Sequence, residues 1–162
     1  MTDLSLLDPA SVAPDAADPR VADVMRDEVV FCLPSTPVDA IAKLMADNQI
    51  TEVPVLIDRR PVGYVVSTDI VAQFIDGNVV VGGSDVMRQP PTAVLARDVL
   101  RQPPLLADES ARLGEVVATM RAQGRTLALV MHEDTHPIGM LTVTEIAEHA
   151  AAELRRSEVE RG

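Results

Sequence analysis

The chain has 162 residues, enough for one domain with a substantial core, and its 47% apolar content argues against a disordered chain. Only 2% of residues are aromatic and none is Trp, so the core must rest on Val, Ile, Leu, Ala and Met, with no aromatic platform for stacking single-stranded bases. Lys and Arg number 14 against 25 Asp and Glu, a net charge of -11 whose field disfavours nucleic acid and anionic membrane surfaces.

The lone cysteine, Cys32, excludes an internal disulfide framework and a cysteine-based zinc site. Residues 1–10 hold no basic residue and no apolar core of a signal peptide, and no apolar run approaches the ~20 residues that span a bilayer. A cytoplasmic protein is expected.

In chain order, residues 1–19 are acidic and proline-bearing and read as a flexible arm. Val29 to Leu33 is a short β-rich run. Thr36-Pro37 then reads as an N-cap followed by Pro at the first helical position. Val38, Ile41, Leu44 and Met45 recur at helical spacing on one apolar face. Glu52 to Ile57 and Pro61 to Val66 are strands joined by the short turn Asp58-Arg59-Arg60, and Ser67-Thr68-Asp69 opens a helix running to about Ile75. Residues 77–95 read as a linker, within which Asp85 to Pro91 is nearly copied by Asp98 to Pro104.

The same order then returns. Leu105-Leu106 is a short strand, and Leu113, Val116, Val117 and Met120 mark a helix face. Thr126 to Met131 and Pro137 to Thr142 form a hairpin, and a last helix starts near Val143. Residues 153–162 read as a charged, solvated tail. Val21 to Met25 matches Ala96 to Leu100 at an offset of 75, as Val38, Ile41 and Met45 match Leu113, Val116 and Met120. Val53 to Leu56 matches Leu127 to Val130 at 74, and Gly63-Tyr64-Val65 matches Gly139-Met140-Leu141 at 76. Matched blocks in one order mean a tandem duplication. The expected fold is α+β: two β-α-β-β-α repeats, 20–76 and 96–152, packed with pseudo-two-fold symmetry into one module.

These blocks resemble a tandem pair of CBS domains, the module named after cystathionine β-synthase. The resemblance rests on Asp23-Val24-Met25, on Ile50 to Val55, and on Gly63 to Ile70 with its second copy, Gly139 to Ile146. It implies a regulatory module, not an enzyme, that binds an adenosyl ligand between its repeats, such as AMP, ADP, ATP or S-adenosylmethionine, with no obligatory cofactor. It also implies a homodimer that modulates a partner protein. Its Gly-x-x-Thr/Ser-x-x-Asp signature carries a ligand-binding role onto Val66, Ser67, Thr68 and Asp69, with Pro54, in the first repeat, and onto Thr142, Thr144 and Glu145 in the second.

The chemistry of such a site is independently arguable. A strand turning straight into a helix presents free N–H groups and a positive dipole end to a phosphate. A carboxylate in the first helical turn can accept charge-assisted hydrogen bonds from ribose hydroxyls. With so few aromatic residues, aliphatic side chains are expected to hold the adenine ring. Each copy departs from the signature: Val66 stands at the Thr/Ser position, and Glu145 replaces Asp. The alternatives are plain helix capping, by Ser67-Thr68-Asp69 and by the Thr142-x-x-Glu145 capping box. They leave a ligand-free dimerisation or scaffold module, held by exposed apolar helix faces such as that of the helix beginning at Thr36.

Elsewhere, His132 and His136 bracket Glu133-Asp134 in a polar turn, expected to be solvated rather than metal-binding, and His149 is expected at the surface. Cys32 is expected to be an inert buried thiol, and Met45, Met87, Met120, Met131 and Met140 to be core residues.

Overall fold

The computed structural model describes residues 18–76 and 94–162. The elements are α1 (Val21–Val24), α2 (Val38–Asn48), β1 (Glu52–Ile57), β2 (Arg60–Val66) and α3 (Ser67–Asp76), followed by α4 (Ala96–Val99), β3 (Leu106–Asp108), α5 (Leu113–Gln123), β4 (Leu127–His132), β5 (His136–Thr142) and α6 (Val143–Arg161). The expected duplicated α+β architecture is present: β1 and β2 form one antiparallel hairpin, and β4 and β5 another with β3 parallel to β4.

Both hairpins turn on two residues with positive φ, Asp58 and Arg59 in the first and Glu133 and Asp134 in the second, the backbone handedness that matches strand twist. Both register shifts fall at the same place, between Val55 and Leu56 and between Val130 and Met131, opposite Pro61 and Pro137. A proline cannot donate to the ladder and is tolerated at such an irregularity.

Three expectations are corrected in detail. The run Val29 to Leu33 is not a strand but a single parallel bridge, in which Cys32 N–H donates to Pro54 O at 2.9 Å and Leu56 N–H to Cys32 O at 3.0 Å. Thr36 does not cap α2: its hydroxyl accepts the Leu33 N–H at 2.9 Å instead, and the helix begins one residue after Pro37. The apolar face of α2 is not free for a partner, because Val38, Ile41 and Met45 are buried in the chain's own core. Large apolar side chains are exposed instead on α3 (Val71, Ile75) and α6 (Val143, Leu154).

The repeats pack against each other and also exchange segments. Each lends its leading segment to the other. The Val21 N–H donates to Ala111 O at 2.8 Å, and Arg26 exchanges N–H···O bonds with Met140 on the edge of β5 at 2.8 and 2.9 Å. Reciprocally, Ala96 N–H donates to Thr36 O at 2.8 Å, and Arg101 exchanges bonds with Tyr64 on the edge of β2 at 2.9 and 3.0 Å. Val21 accordingly belongs to a core cluster of second-repeat residues, while Ala96 and Val99 join the cluster built on the first repeat, which Leu127, Leu129, Met131 and Met140 of the second also enter. The arm's last two residues join this exchange: Asp18 Oδ1 accepts the Gly114 N–H at 2.6 Å, and Pro19 O accepts the Leu113 N–H at 2.9 Å.

The pseudo-two-fold axis passes close to Thr51 and Thr126, residues 75 apart whose hydroxyls meet at 3.0 Å. Met45, Met120, Met131 and Met140 are buried as expected, and α6 continues the 153–162 tail as helix to Arg161. Cys32 is buried, and desolvation pushes its thiol up to about 12. Met87, the duplicated segment 85–91, arm residues 1–17 and linker residues 77–93 lie outside the described residues.

The exchange explains the two matched glycines. A Cβ on Gly63 would lie 2.6 Å from Arg101 O and 2.5 Å from Leu100 Cδ1, and one on Gly139 would lie 2.5 Å from Arg26 O and 2.7 Å from the Met25 sulfur. Only a residue without a side chain lets the borrowed segment close on the sheet edge. Gly63→Ala is therefore expected to destabilise the fold by about 1–3 kcal/mol, as overpacking does, read as a lower denaturant midpoint in equilibrium unfolding.

Candidate functional site

The β2–α3 junction opens into a pocket of about 280 Å³, against roughly 300–1,000 Å³ for small-molecule sites. Val66, Ser67 and Thr68 line one side, Gln123 to Thr126 from the end of α5 the other, and Tyr64, Arg101, Thr51 and Glu52 complete it. Three of the expected residues are thus brought together. Asp69 lies beside them, its two oxygens held in a fork by Arg101 Nε at 2.5 Å and Nη2 at 2.7 Å. Pro54 lies apart: it is fully buried in β1, paired in register with Tyr64.

The Arg101–Asp69 pair is partly exposed, with Arg101 at 52% and Asp69 at 26% of side-chain surface, so water and salt screen it. The hydrogen bonds and charge of Asp69 hold the Arg101 guanidinium above its ordinary pKa. Ser67 N–H donates to Thr51 O at 2.9 Å, which ties the start of α3 to the axis. The hydroxyls of Ser67 and Thr68 make no hydrogen bond to another described residue.

At the pocket floor lies Glu52, whose side chain is 4% exposed. Arg125 Nε donates to it at 2.7 Å, Thr126 Oγ1 at 2.6 Å and Leu127 N–H at 3.2 Å, and Thr126 N–H is a further donor. A buried carboxylate is tolerable only with its lone pairs satisfied in this way. The Arg125 guanidinium sits 3.5 Å from the centroid of the Tyr64 ring, within cation–π reach. The pocket wall therefore mixes polar groups with apolar surface and one aromatic ring, Tyr64, rather than being the purely aliphatic wall expected from composition.

The symmetry-related position in the second repeat is nearly filled. Its cavity is about 40 Å³, lined by Gln49, Ile50, Thr51, Thr126, Leu127, Thr142 and Val143. Glu145 does not face an open pocket. It closes the Thr142-x-x-Glu145 capping box, accepting the Thr142 N–H at 2.8 Å and the Thr142 hydroxyl, while Thr142 Oγ1 accepts the Thr144 N–H at 3.2 Å. Arg26 Nε adds a third donor at 2.9 Å. Burial pushes the Glu145 carboxyl pKa up, but these hydrogen bonds and the Arg26 charge outweigh it, so the group is held below its ordinary range.

Arg26 and Arg101, which the sequence reading missed, are equivalent residues 75 apart, each carried by the exchanged segment to the carboxylate of the opposite repeat. Their signal was present: the matched block ending at Met25 and Leu100 continues by one identical residue. Arg125 and Glu52 had no such signal, because their counterparts are Ile50 and Leu127.

The chain belongs to the CBS-domain family, whose model matches residues 21–76 and 96–152. No significant match is found among curated proteins. Among solved structures, the chain is similar to protein MJ1225 of Methanocaldococcus jannaschii, at 20% identity and TM-score 0.66; 80% of this chain is covered but only 47% of that one, so it spans about half the relative's length. It is similar to CBSX2, solved in complex with AMP, at 22% identity and TM-score 0.64 over 84% of this chain and 98% of that one. A third likeness is to the CBS domain pair of protein MJ0100, solved with 5′-methylthioadenosine and S-adenosyl-L-methionine, at 14% identity and TM-score 0.67 over 83% and 97%. At identities this low the likenesses show the fold alone. Among the described residues, no helix is long and apolar enough to cross a membrane.

The His132–Glu133–Asp134–His136 turn forms no metal-ligand group among the described residues. His132 Nδ1 instead meets Glu109 Oε1 at 2.6 Å, and His149 is half-buried on α6 rather than fully exposed. The Glu109 hydrogen bond and charge raise the His132 pKa. A raised folded-state pKa means that the pair stabilises the fold below the ordinary histidine range and that this contribution fades as pH rises through the shifted value. NMR titration is expected to place His132 above an unperturbed histidine, and Glu109→Gln to return it toward the ordinary value.

Proposed function

We propose that this CBS pair is a cytoplasmic regulatory module that binds an adenosyl ligand at the β2–α3 junction and passes its occupancy to a partner protein, functioning as a homodimer. The observation that carries this reading is the pocket itself. It gathers Val66, Ser67 and Thr68 around the start of α3, with the carboxylate of Asp69 in the first helical turn. That carboxylate offers two acceptors to a vicinal diol, and the free hydroxyls and first-turn N–H groups offer donors to a ribose or phosphate. Two structurally similar CBS pairs were solved with adenosyl compounds, which supports the ligand class.

In this proposal the two signature segments divide their roles. Thr142, Thr144 and Glu145 form a structural cap, since their polar groups already satisfy one another and Arg26. Asp69, Ser67, Thr68 and Val66 form the ligand site, and Pro54 supports it from within β1. The same closure of the Glu145 site favours a second reading, a ligand-free scaffold in which the Asp69–Arg101 pair plays the same structural part.

A thermal-shift panel of AMP, ADP, ATP, S-adenosylmethionine and adenosine separates the two. Ligand at 100 times its dissociation constant should stabilise the fold by about 2.7 kcal/mol. We expect at least one member to raise the melting temperature of the wild type and Asp69→Ala to lose that rise. No shift with any member supports the scaffold.

A further inference from the structure

We propose that Arg101 is an exchangeable latch on Asp69 and that it selects a phosphorylated adenosyl ligand over a neutral or cationic one. This rests on the adenosyl reading above and names the ligand class for the same site.

Three charged side chains line the pocket, Glu52, Arg101 and Arg125, and with Asp69 beside it they form two compensated pairs: Asp69 with Arg101, and Glu52 with Arg125. The pairs differ in burial. Glu52–Arg125 is 4% and 8% exposed and has backbone donors from Thr126 and Leu127 as well, so it belongs to the fold. Arg101–Asp69 has one half-exposed partner, and among the described residues the Arg101 side chain hydrogen-bonds to Asp69 alone. The exposed pair is therefore the one a ligand can open.

A ribose diol that takes the carboxylate of Asp69 replaces the two N–H donors of Arg101 with two O–H donors. Asp69 stays satisfied, but the guanidinium is released with a full positive charge and no partner. Only a ligand that brings its own anion closes this account. A phosphate on the same ligand can accept the Arg101 fork, for which the planar guanidinium is suited. Adenosine and 5′-methylthioadenosine bring no anion to this position. S-adenosylmethionine carries a carboxylate, but its sulfonium and ammonium leave it with a net positive charge that opposes the released arginine.

Competition also sets a direction that a plain phosphate contact would not. Removing Arg101 removes both the latch and the phosphate partner, so it should weaken a nucleotide and strengthen a nucleoside. The residue is suited to such a test because its backbone, not its side chain, pairs with Tyr64.

Isothermal titration of the wild type, Arg101→Met and Arg101→Lys with AMP, adenosine and S-adenosylmethionine reads this out. The wild type is expected to bind AMP about tenfold or more tightly than the other two, the loss of one charge-assisted contact. In Arg101→Met, AMP should weaken by about the same factor while adenosine binds more tightly than to the wild type. Arg101→Lys, with the charge but not the fork, should fall between. The wild-type comparison stands even if Arg101→Met fails to fold. Wild-type binding of adenosine or S-adenosylmethionine as tight as that of AMP overturns the latch and leaves the adenosyl reading standing, as does undiminished AMP binding by Arg101→Met. No binding of any of the three to wild type or variants overturns both.

Discussion

The structure depends on one constraint: each repeat must borrow the leading segment of the other to complete the edge of its sheet. Arg26 pairs with Met140, and Arg101 pairs with Tyr64, through two main-chain bonds each. An unfilled strand edge exposes unsatisfied N–H and C=O groups, and filling it from the sister repeat satisfies them while burying Val21 in one core and Ala96 with Val99 in the other. Neither half can reach this arrangement alone. The duplication is therefore one folding unit, and both strand–helix junctions are built partly from the opposite repeat.

The exchange also brings an arginine to each signature carboxylate, and the two junctions then diverge for local reasons. In the second repeat, Thr142 has a hydroxyl and Glu145 has the reach to fold back onto it, so the carboxylate is consumed as a helix cap with Arg26 behind it. In the first repeat, Val66 has no hydroxyl to offer, and Asp69 is one methylene shorter. Its carboxylate stays beside the pocket, and among the described residues it is met by the half-exposed Arg101 alone. A symmetric backbone thus presents one open junction and one nearly filled one. The substitution at the signature's hydroxyl position, which by sequence counts against the first copy, is part of what keeps its carboxylate outside a capping box.

Much of this was legible in the sequence. The fixed offset of about 75 revealed the duplication, and the periodicity of Val38, Ile41 and Met45 and of Leu113, Val116 and Met120 placed both core helices. The Thr-x-x-Glu capping box was readable because it is a local motif. The exchange of segments was not, since a repeat pattern states which residues are equivalent and not which copy they contact. For the same reason the partners of Asp69 and Glu145, 32 and 119 residues away in the chain, escaped a reading made within each repeat. Glu52 and Arg125 escaped it because they break the symmetry. The short strand at Val29 to Leu33 was overread: its composition favours β structure, but only Cys32 finds a ladder partner.

In the function proposed here the two junctions are unequal, one open to a phosphorylated adenosyl ligand through displacement of Arg101 and the other closed by its helix cap. A crystal structure of the chain grown with AMP tests it most directly. The account predicts one nucleotide per chain at the β2–α3 junction, its ribose on Asp69 and Arg101 turned from the carboxylate to the phosphate, with the Thr142–Glu145–Arg26 cap unchanged. A nucleotide at the β5–α6 junction, or one at the β2–α3 junction with the Arg101–Asp69 fork intact, would contradict it.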